Sequence, residues 1–445
     1  MRISVIGCGY LGAVHAAAMA ELGHEVVGVD VDASRVEALA RGEAPFFEPG
    51  LTELLQRGLA SGRLAFSGDI SYAWGSELHF IAVGTPSRPD GAAELGYVRS
   101  AASALLPVLR PGDVVVGKST VPVGTASALA SAIVSRGALL AWNPEFLREG
   151  HAIRDTLQPD RLVYGVRAGE ERAAAVLDAV YAPLLAAGVP RQVTDFATAE
   201  LVKVAANAFL ATKISFINAM AEIAEVVGAD VTQLADAIGR DPRIGRRFLG
   251  AGVGFGGGCL PKDIRAFVAR ADELGVGDAV GFLREVEAVN LRRRSRVVDL
   301  VREAVGGSMV GRRVAVLGLA FKPDSDDVRD SPALEVARRL AREGAEVVVT
   351  DPKAIPSARR IAPELDYRLR VDDAVAGAEA VVLLTEWQEY RDLDAVALAA
   401  RVRRPVLVDG RNCVETGDWV AAGWRILAPG RPAVGAVPRP ELTLR

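Results

Sequence analysis

A chain of 445 residues is longer than one hydrophobic core comfortably serves, so two or three domains are expected. Half of the residues are hydrophobic and 24% are charged, the balance of a globular protein in water, and a formal net charge of −4 without a long basic stripe excludes a nucleic-acid footprint. Cys8, Cys259 and Cys413 lie far apart without metal-ligand spacing, which indicates neither a disulfide framework nor a zinc site and suits a reducing, cytoplasmic setting; no metal is expected. The chain opens straight into a strand with no charged-then-apolar leader. No uninterrupted apolar run nears the ~18 residues that span a bilayer, so no membrane association is expected.

Ile3 to Ile6 read as a strand, followed by Gly7-Cys8-Gly9-Tyr10-Leu11-Gly12 and an Ala-rich helical pattern to Leu22. This is G-x-G-x-x-G between a strand and a helix, where glycines allow a tight turn and the helix N-terminus receives a pyrophosphate. A second strand, Glu25 to Val29, ends in Asp30, whose carboxylate suits the ribose hydroxyls of NAD and repels the extra phosphate of NADP. Further strands at Leu78 to Val83, Val114 to Lys118 and Leu139 to Trp142 end in Gly84-Thr85-Pro86, Ser119-Thr120 and Asn143-Pro144-Glu145. In a parallel sheet those ends share the edge where ligands bind. Glu145 there is a candidate for handling a proton or water.

From about Thr198 to Gly228 one long helix is expected, apolar on nearly all faces around Lys203 and Asn207 and so buried on all sides. Lys203 and Asn207 are four apart, share one face and should meet a polar cavity. Gly250 to Asp263, GAGVGFGGGCLPKD, has six glycines among its first nine residues, a backbone made for close approach. Cys259 follows them, just ahead of a helix whose N-terminal N–H groups, with Lys262, favour thiolate over the free thiol, whose pKa is roughly 8.5. A second helical region runs from Gly277 to about Val305. Its Arg292 to Arg296 read as a solvated face. Two long helices with this much apolar surface predict a homodimer or larger assembly.

The last third echoes the first: RRVAVLG answers RISVIG, AEVVVTD answers HEVVGVD, and AVVLLT answers FIAVGT. Its first turn, Gly318-Leu319-Ala320-Phe321-Lys322-Pro323, lacks the dinucleotide glycines, and Lys322 fits a different phosphate ligand. The strand Val406 to Val408 leads to Asp409-Gly410-Arg411-Asn412, another cation at a strand end. The tail from Pro429 onward reads as loosely held.

GCGYLG, EPGL, VGTP, STVPVGT, NPEFLREG, ELVKVAANAFLATKISF, RIGRRFL, GFGGGCLPKD and GLAFKPDSDDVRDSP together resemble the UDP-glucose/GDP-mannose dehydrogenase family, in order and spacing from residue 1 to about 415. Gly258, where a Ser is common, and Ala219, where an acid is frequent, depart from its pattern. The resemblance implies an α/β fold with two Rossmann-like domains joined by a central long-helix domain: residues 1–196 for NAD, 197–305 for dimerisation and 306–445 for the UDP-sugar. It implies that Asp30, Arg35, Thr85, Ser119, Glu149, Lys262 and Arg329 serve NAD along with Gly7, Gly9, Tyr10, Leu11 and Gly12. Glu145, Phe146, Leu147, Lys203, Asn207, Phe248, Gly256, Lys322 and Arg411 hold the nucleotide sugar, and Arg243 reaches in from a neighbouring subunit.

The implied reaction is a four-electron oxidation at C6 of a nucleotide sugar, UDP-glucose or alternatively GDP-mannose. Cys259 is the nucleophile for a thiohemiacetal and then a thioester, Lys203 and Asn207 stabilise oxyanions, Asp263 and Thr120 orient a water, and Glu145 assists hydrolysis. Two other readings compete. A two-electron hydroxyacid-type dehydrogenase needs neither the cysteine nor a third domain, and a non-catalytic NAD sensor forms no NADH.

Overall fold

The computed structural model describes residues 1–436. They divide into two compact units, residues 1–207 with 262–278, and residues 208–261 with 279–436.

The first unit is built on an eight-stranded sheet in the order β3-β2-β1-β4-β5-β6-β7-β8. Its strands are β1 (Arg2–Ile6), β2 (Glu25–Val29), β3 (Leu64–Ser67), β4 (Leu78–Ile81), β5 (Val114–Gly117), β6 (Leu139–Trp142), β7 (Leu162–Val166) and β8 (Arg191–Thr194). Pairing is parallel except between β6 and β7. Alternate side chains of a strand enter opposite layers: Ile3 and Val5 join one apolar cluster, Ile6 another. With both faces covered, the central strands are near-continuous apolar runs, interrupted by the buried Ser4 and His79, which hydrogen-bond to each other at 2.7 Å.

The second unit repeats the pattern with seven strands in the order β11-β10-β9-β12-β13-β14-β15. They are β9 (Arg313–Leu317), β10 (Glu346–Thr350), β11 (Asp366–Tyr367), β12 (Ala380–Leu383), β13 (Val406–Asp409), β14 (Arg425–Ala428) and β15 (Arg431–Val434). The internal echo is therefore a repeat of topology, with strand β9 in the place of β1 in its own sheet. Only β14 and β15 pair antiparallel. The start of the tail is thus not loose: Arg431–Val434 closes the sheet edge, and Arg431 Nε lies 3.2 Å from Asp230. The rest of that tail, 437–445, lies outside the described residues.

Two expectations about the helices need correction. The long helix Phe196–Val227 is not buried on all sides: within the second unit Phe209, Phe216, Ile223 and Val226 are exposed, while Ala211, Ile217, Ala221 and Ala224 are buried. This helix is long and apolar enough to cross a membrane by length and composition. It is nevertheless a core helix, with Ala199 and Val204 buried in the first unit and Ile217 and Ala221 in the second. Arg292 to Arg296 are a solvated face only in part, Arg292 being exposed. On the helix Phe282–Val305, Arg293 and Arg294 are buried and paired with Glu225 and Glu335, because a carboxylate stands opposite each inward-turned guanidinium.

Candidate active site

In the first unit the dinucleotide turn closes as its glycines require. Gly7 has φ +89°, and a Cβ on Gly12 would stand 1.7 Å from the Gly7 carbonyl oxygen. A Cβ on Gly9 would meet nothing within 4 Å, so this position faces open space at the N-terminus of the helix Tyr10–Glu21. That is the cradle a dinucleotide pyrophosphate needs. Leu11 packs against the core beside it.

Asp30, at the end of β2, accepts the Cys8 N–H at 2.6 Å and both oxygens face Arg35 Nη1 at 3.0 Å. Burial and then the Asp30 charge push the Cys8 thiol far up, so it is inert. Tyr10 donates its hydroxyl to the buried Glu48, which also accepts the N–H groups of Gly150 at 2.6 Å and Ala152 at 2.7 Å. Burial and that hydrogen bond raise the Tyr10 phenol beyond titration. Glu48 therefore ties the cofactor turn to the NPEFLREG segment, where Glu149 is buried. The EPGL motif held this residue in plain view, but its role depends on backbone N–H groups about 100 residues away.

A continuous polar chain joins five of the expected residues. Thr85 donates to the Thr120 carbonyl at 2.8 Å, Lys262 Nζ to Thr85 Oγ1 at 3.2 Å and to Asp263 Oδ1 at 2.6 Å, and Asn207 Nδ2 to Asp263 Oδ2 at 2.6 Å. Thr120, Lys262 and Asp263 line one small cavity. Ser119 donates to the Val83 carbonyl at 2.7 Å. Lys203, one turn before Asn207, is buried with its Nζ 5.6 Å from the Phe146 ring centroid. Arg161 stacks on the same ring at 3.9 Å, and Leu147 packs against the core.

Glu145 has both oxygens engaged. Oε1 accepts the N–H groups of Phe146 and Leu147 at 2.7 and 2.9 Å, and Oε2 lies 3.0 Å from the ammonium of Lys118. Lys118 was legible only as the polar end of an apolar strand. Glu200, which no sequence signal marks, accepts the N–H groups of Gly124 and Ala126, both at 2.7 Å, and so caps the helix Thr125–Val134 just after the Ser119-Thr120 loop.

In the second unit the glycine-rich stretch approaches its own chain. A Cβ on Gly252 would stand 2.6 Å from the Gly410 carbonyl oxygen, on Gly254 2.3 Å from Asn290 Oδ1, and on Gly256 2.2 Å from the Asp330 carbonyl oxygen. Asn290 holds Phe255 through both backbone groups, at 2.7 and 3.0 Å. Arg411 donates to the carbonyls of Gly254, Phe321 and Leu384, at 2.9, 2.9 and 2.7 Å. It thus joins this stretch to the turn that carries Lys322, whose Nζ lies 5.6 Å from the Phe321 ring.

Cys259 is exposed and directly precedes the helix Leu260–Glu273, as expected. Arg329, paired with Asp327 at 2.6 Å, fills the space a side chain at Gly258 would need. Phe248 takes the left-handed φ of +66°, and Arg243, paired with Asp241, is 87% exposed.

In the second unit the first turn is also closed differently. Asp351, in the place of Asp30, accepts the N–H groups of Leu319 and Ala320 at 2.7 and 3.0 Å, so those donors are already satisfied within the chain. No group of His, Cys, Asp and Glu able to hold a metal occurs among the described residues.

The sequence matches three family models: the UDP-glucose/GDP-mannose dehydrogenase NAD binding domain over residues 1–185, the central domain over 197–292, and the UDP binding domain over 315–416. It is 44% identical to the UDP-glucose 6-dehydrogenase of Rhizobium meliloti (strain 1021), across 97% of this chain and 100% of that protein. It is 42% identical to UDP-glucose 6-dehydrogenase TuaD of Bacillus subtilis (strain 168), across 97% and 94%. Among solved structures, a UDP-glucose dehydrogenase from Pyrobaculum islandicum is similar with a TM-score of 0.86 at 43% identity, covering 94% of this chain and 95% of that one. The chain belongs to the UDP-glucose/GDP-mannose dehydrogenase family and carries that family's NAD binding and UDP binding domains.

Proposed function

We propose that this protein is an NAD-dependent UDP-glucose 6-dehydrogenase that oxidises UDP-glucose to UDP-glucuronate by way of Cys259. The observation that carries the reading is the full-length likeness to relatives bearing that name, 44% and 42% identical. The chain Thr120–Thr85–Lys262–Asp263–Asn207 supports it with the polar groups such chemistry needs.

Taking a primary alcohol to a carboxylate removes four electrons. Bound NAD would supply the hydride acceptor at C6, two being needed per product. Thr120 and Asp263 orient the water that relays the first proton. The aldehyde has no hydroxyl to ionise, so the Cys259 thiolate adds to C6 before the second oxidation. Lys203 and Asn207 stabilise the oxyanion that forms there, Asn207 being aimed by its bond to Asp263. Water then cleaves the thioester with the help of Glu145.

In the same reading NAD is held by the turn Gly7 to Gly12, by Asp30 and Arg35, and by Thr85, Ser119, Glu149, Lys262 and Arg329. Asp30 would accept from the ribose hydroxyls, with Arg35 beside it as its counter-charge. The nucleotide sugar is held by Phe146, Leu147, Phe248, Gly256, Lys322 and Arg411. Residues 1–196, 197–305 and 306–445 form the NAD-binding, dimerisation and UDP-sugar domains. The assembly is a cytoplasmic homodimer or larger, closed by the exposed Phe209, Phe216 and Ile223 and completed by Arg243 of the neighbouring copy.

The test is to assay purified protein with UDP-glucose beside GDP-mannose and count NADH per sugar consumed. Two NADH from UDP-glucose support the reading. One NADH indicates a two-electron dehydrogenase, preference for GDP-mannose reassigns the sugar, and binding without NADH indicates a sensor.

A further inference from the structure

Lys118 is a buried ammonium with no place in the chemistry above. It directly follows β5, is 4% exposed, and has the rings of Phe80 and Tyr181 at 5.8 and 6.0 Å. Such a charge is stable in the interior only beside a counter-charge. Glu145 is the one carboxylate within ion-pair distance among the described residues; Asn143 Oδ1 at 3.1 Å and the Tyr181 hydroxyl at 3.5 Å are neutral. His15 nearby is neutral too, held so first by burial and then by the Lys118 charge.

A carboxylate offers about four acceptor positions, two on each oxygen. On Glu145 two N–H groups fill those of Oε1, and the Lys118 ammonium stands 3.0 Å from Oε2 as its counter-charge. Oε2 is the oxygen that keeps acceptor positions for a further donor.

We propose that Lys118 is a positioning residue for the hydrolytic half of the reaction: as the counter-charge at Oε2 it holds the Glu145 carboxylate where that oxygen takes a proton from one water. This rests on the reading that a Cys259 thioester forms. In that half the water oxygen bonds to C6, the C6–S bond breaks, and its electron pair leaves on the Cys259 sulfur. Glu145 takes one water proton and the carboxylic acid product sheds the other to solvent. No electrons are exchanged.

The experiment compares K118M, E145Q and K118M/E145Q with the native protein, using UDP-glucose and NAD. In K118M the rapid NADH burst should survive and both KM values stay within about threefold. Steady-state kcat should fall about 10²-fold, the scale of a lost general base, and intact-mass measurement should show the sugar-nucleotide adduct accumulating on the protein. The double variant should be no slower than E145Q alone. K118M turning over within about threefold of native, or losing kcat without the adduct, overturns the proposal. Should K118M fail to fold, the double variant, which leaves no lone buried charge, decides: a kcat equal to that of E145Q supports the proposal and a further loss overturns it. If the native protein itself forms no NADH from UDP-glucose, the parent reading has failed, and the proposal with it.

Discussion

Asn207 and Asp263, 56 residues apart in the chain, meet in a buried 2.6 Å hydrogen bond between an amide N–H and a carboxylate oxygen. The other oxygen of Asp263 takes the Lys262 ammonium at 2.6 Å. Asp263 therefore orients two side chains at once, one on the long helix and one on the helix that follows Cys259.

Replacing Asp263 by Asn keeps the volume and removes the charge that both partners face. D263N should lower kcat about 10²- to 10³-fold, the scale of a lost oxyanion donor or proton relay. NAD affinity measured by fluorescence titration should change far less. A kcat within tenfold of native would show that this bond is structural only.

Glu225 joins the long helix to Arg293 at 3.1 Å and Arg296 at 2.6 Å, and accepts the Gly430 N–H at 2.9 Å. Burial alone would raise its carboxyl, but these hydrogen bonds outweigh burial and hold it below the ordinary range. A depressed acid stabilises the fold above its unfolded pKa and loses that contribution as the pH falls through the lower folded value. E225Q leaves the buried Arg293 without its near counter-charge and should destabilise the second unit by about 2–3 kcal/mol at neutral pH. The difference between native and E225Q melting temperatures should shrink as the pH is lowered from 6 toward 3. A gap that stays constant over this range contradicts the assignment.

The fold was readable because alternation and apolar runs fix strands locally, and the glycines of the first turn sit between two such signals. Register within NPEFLREG was not readable, since Glu145 and Glu149 look alike in sequence and differ only in what faces them. The glycine-rich stretch was correctly seen as backbone made for close approach. What it approaches was hidden: much of it is the chain's own Asn290, Asp330 and Gly410. The burial of Arg293 and Arg294 is hidden for the same reason, because their partners Glu225 and Glu335 lie on other helices.

Gly256 makes that lesson testable. A methyl group there would stand 2.2 Å from a backbone carbonyl oxygen, which cannot swing away as a side chain can. G256A should cost about 1–3 kcal/mol, the range for overpacking, and lower the thermal midpoint. G250A, where a Cβ meets nothing within 4 Å, serves as the control and should melt like the native protein. Equal midpoints for the two variants would contradict the packing described here.

Phe209, Phe216 and Ile223 recur every seven residues along one exposed face of the long helix. A stripe of that kind is the sign of a covered surface. F216E should shift the sedimentation mass at micromolar protein from dimer or larger to monomer, since an unpaired carboxylate is poorly tolerated inside an apolar interface. A native protein that already sediments as a monomer would refute the assembly.

The central claim is that Cys259 becomes bonded to the carbon under oxidation. The most direct measurement is turnover by C259S with NAD and UDP-glucose, alongside binding of each ligand by calorimetry. Both ligands should bind as they do to the native protein while formation of UDP-glucuronate stops. A C259S protein that makes UDP-glucuronate at the native rate would contradict the covalent route.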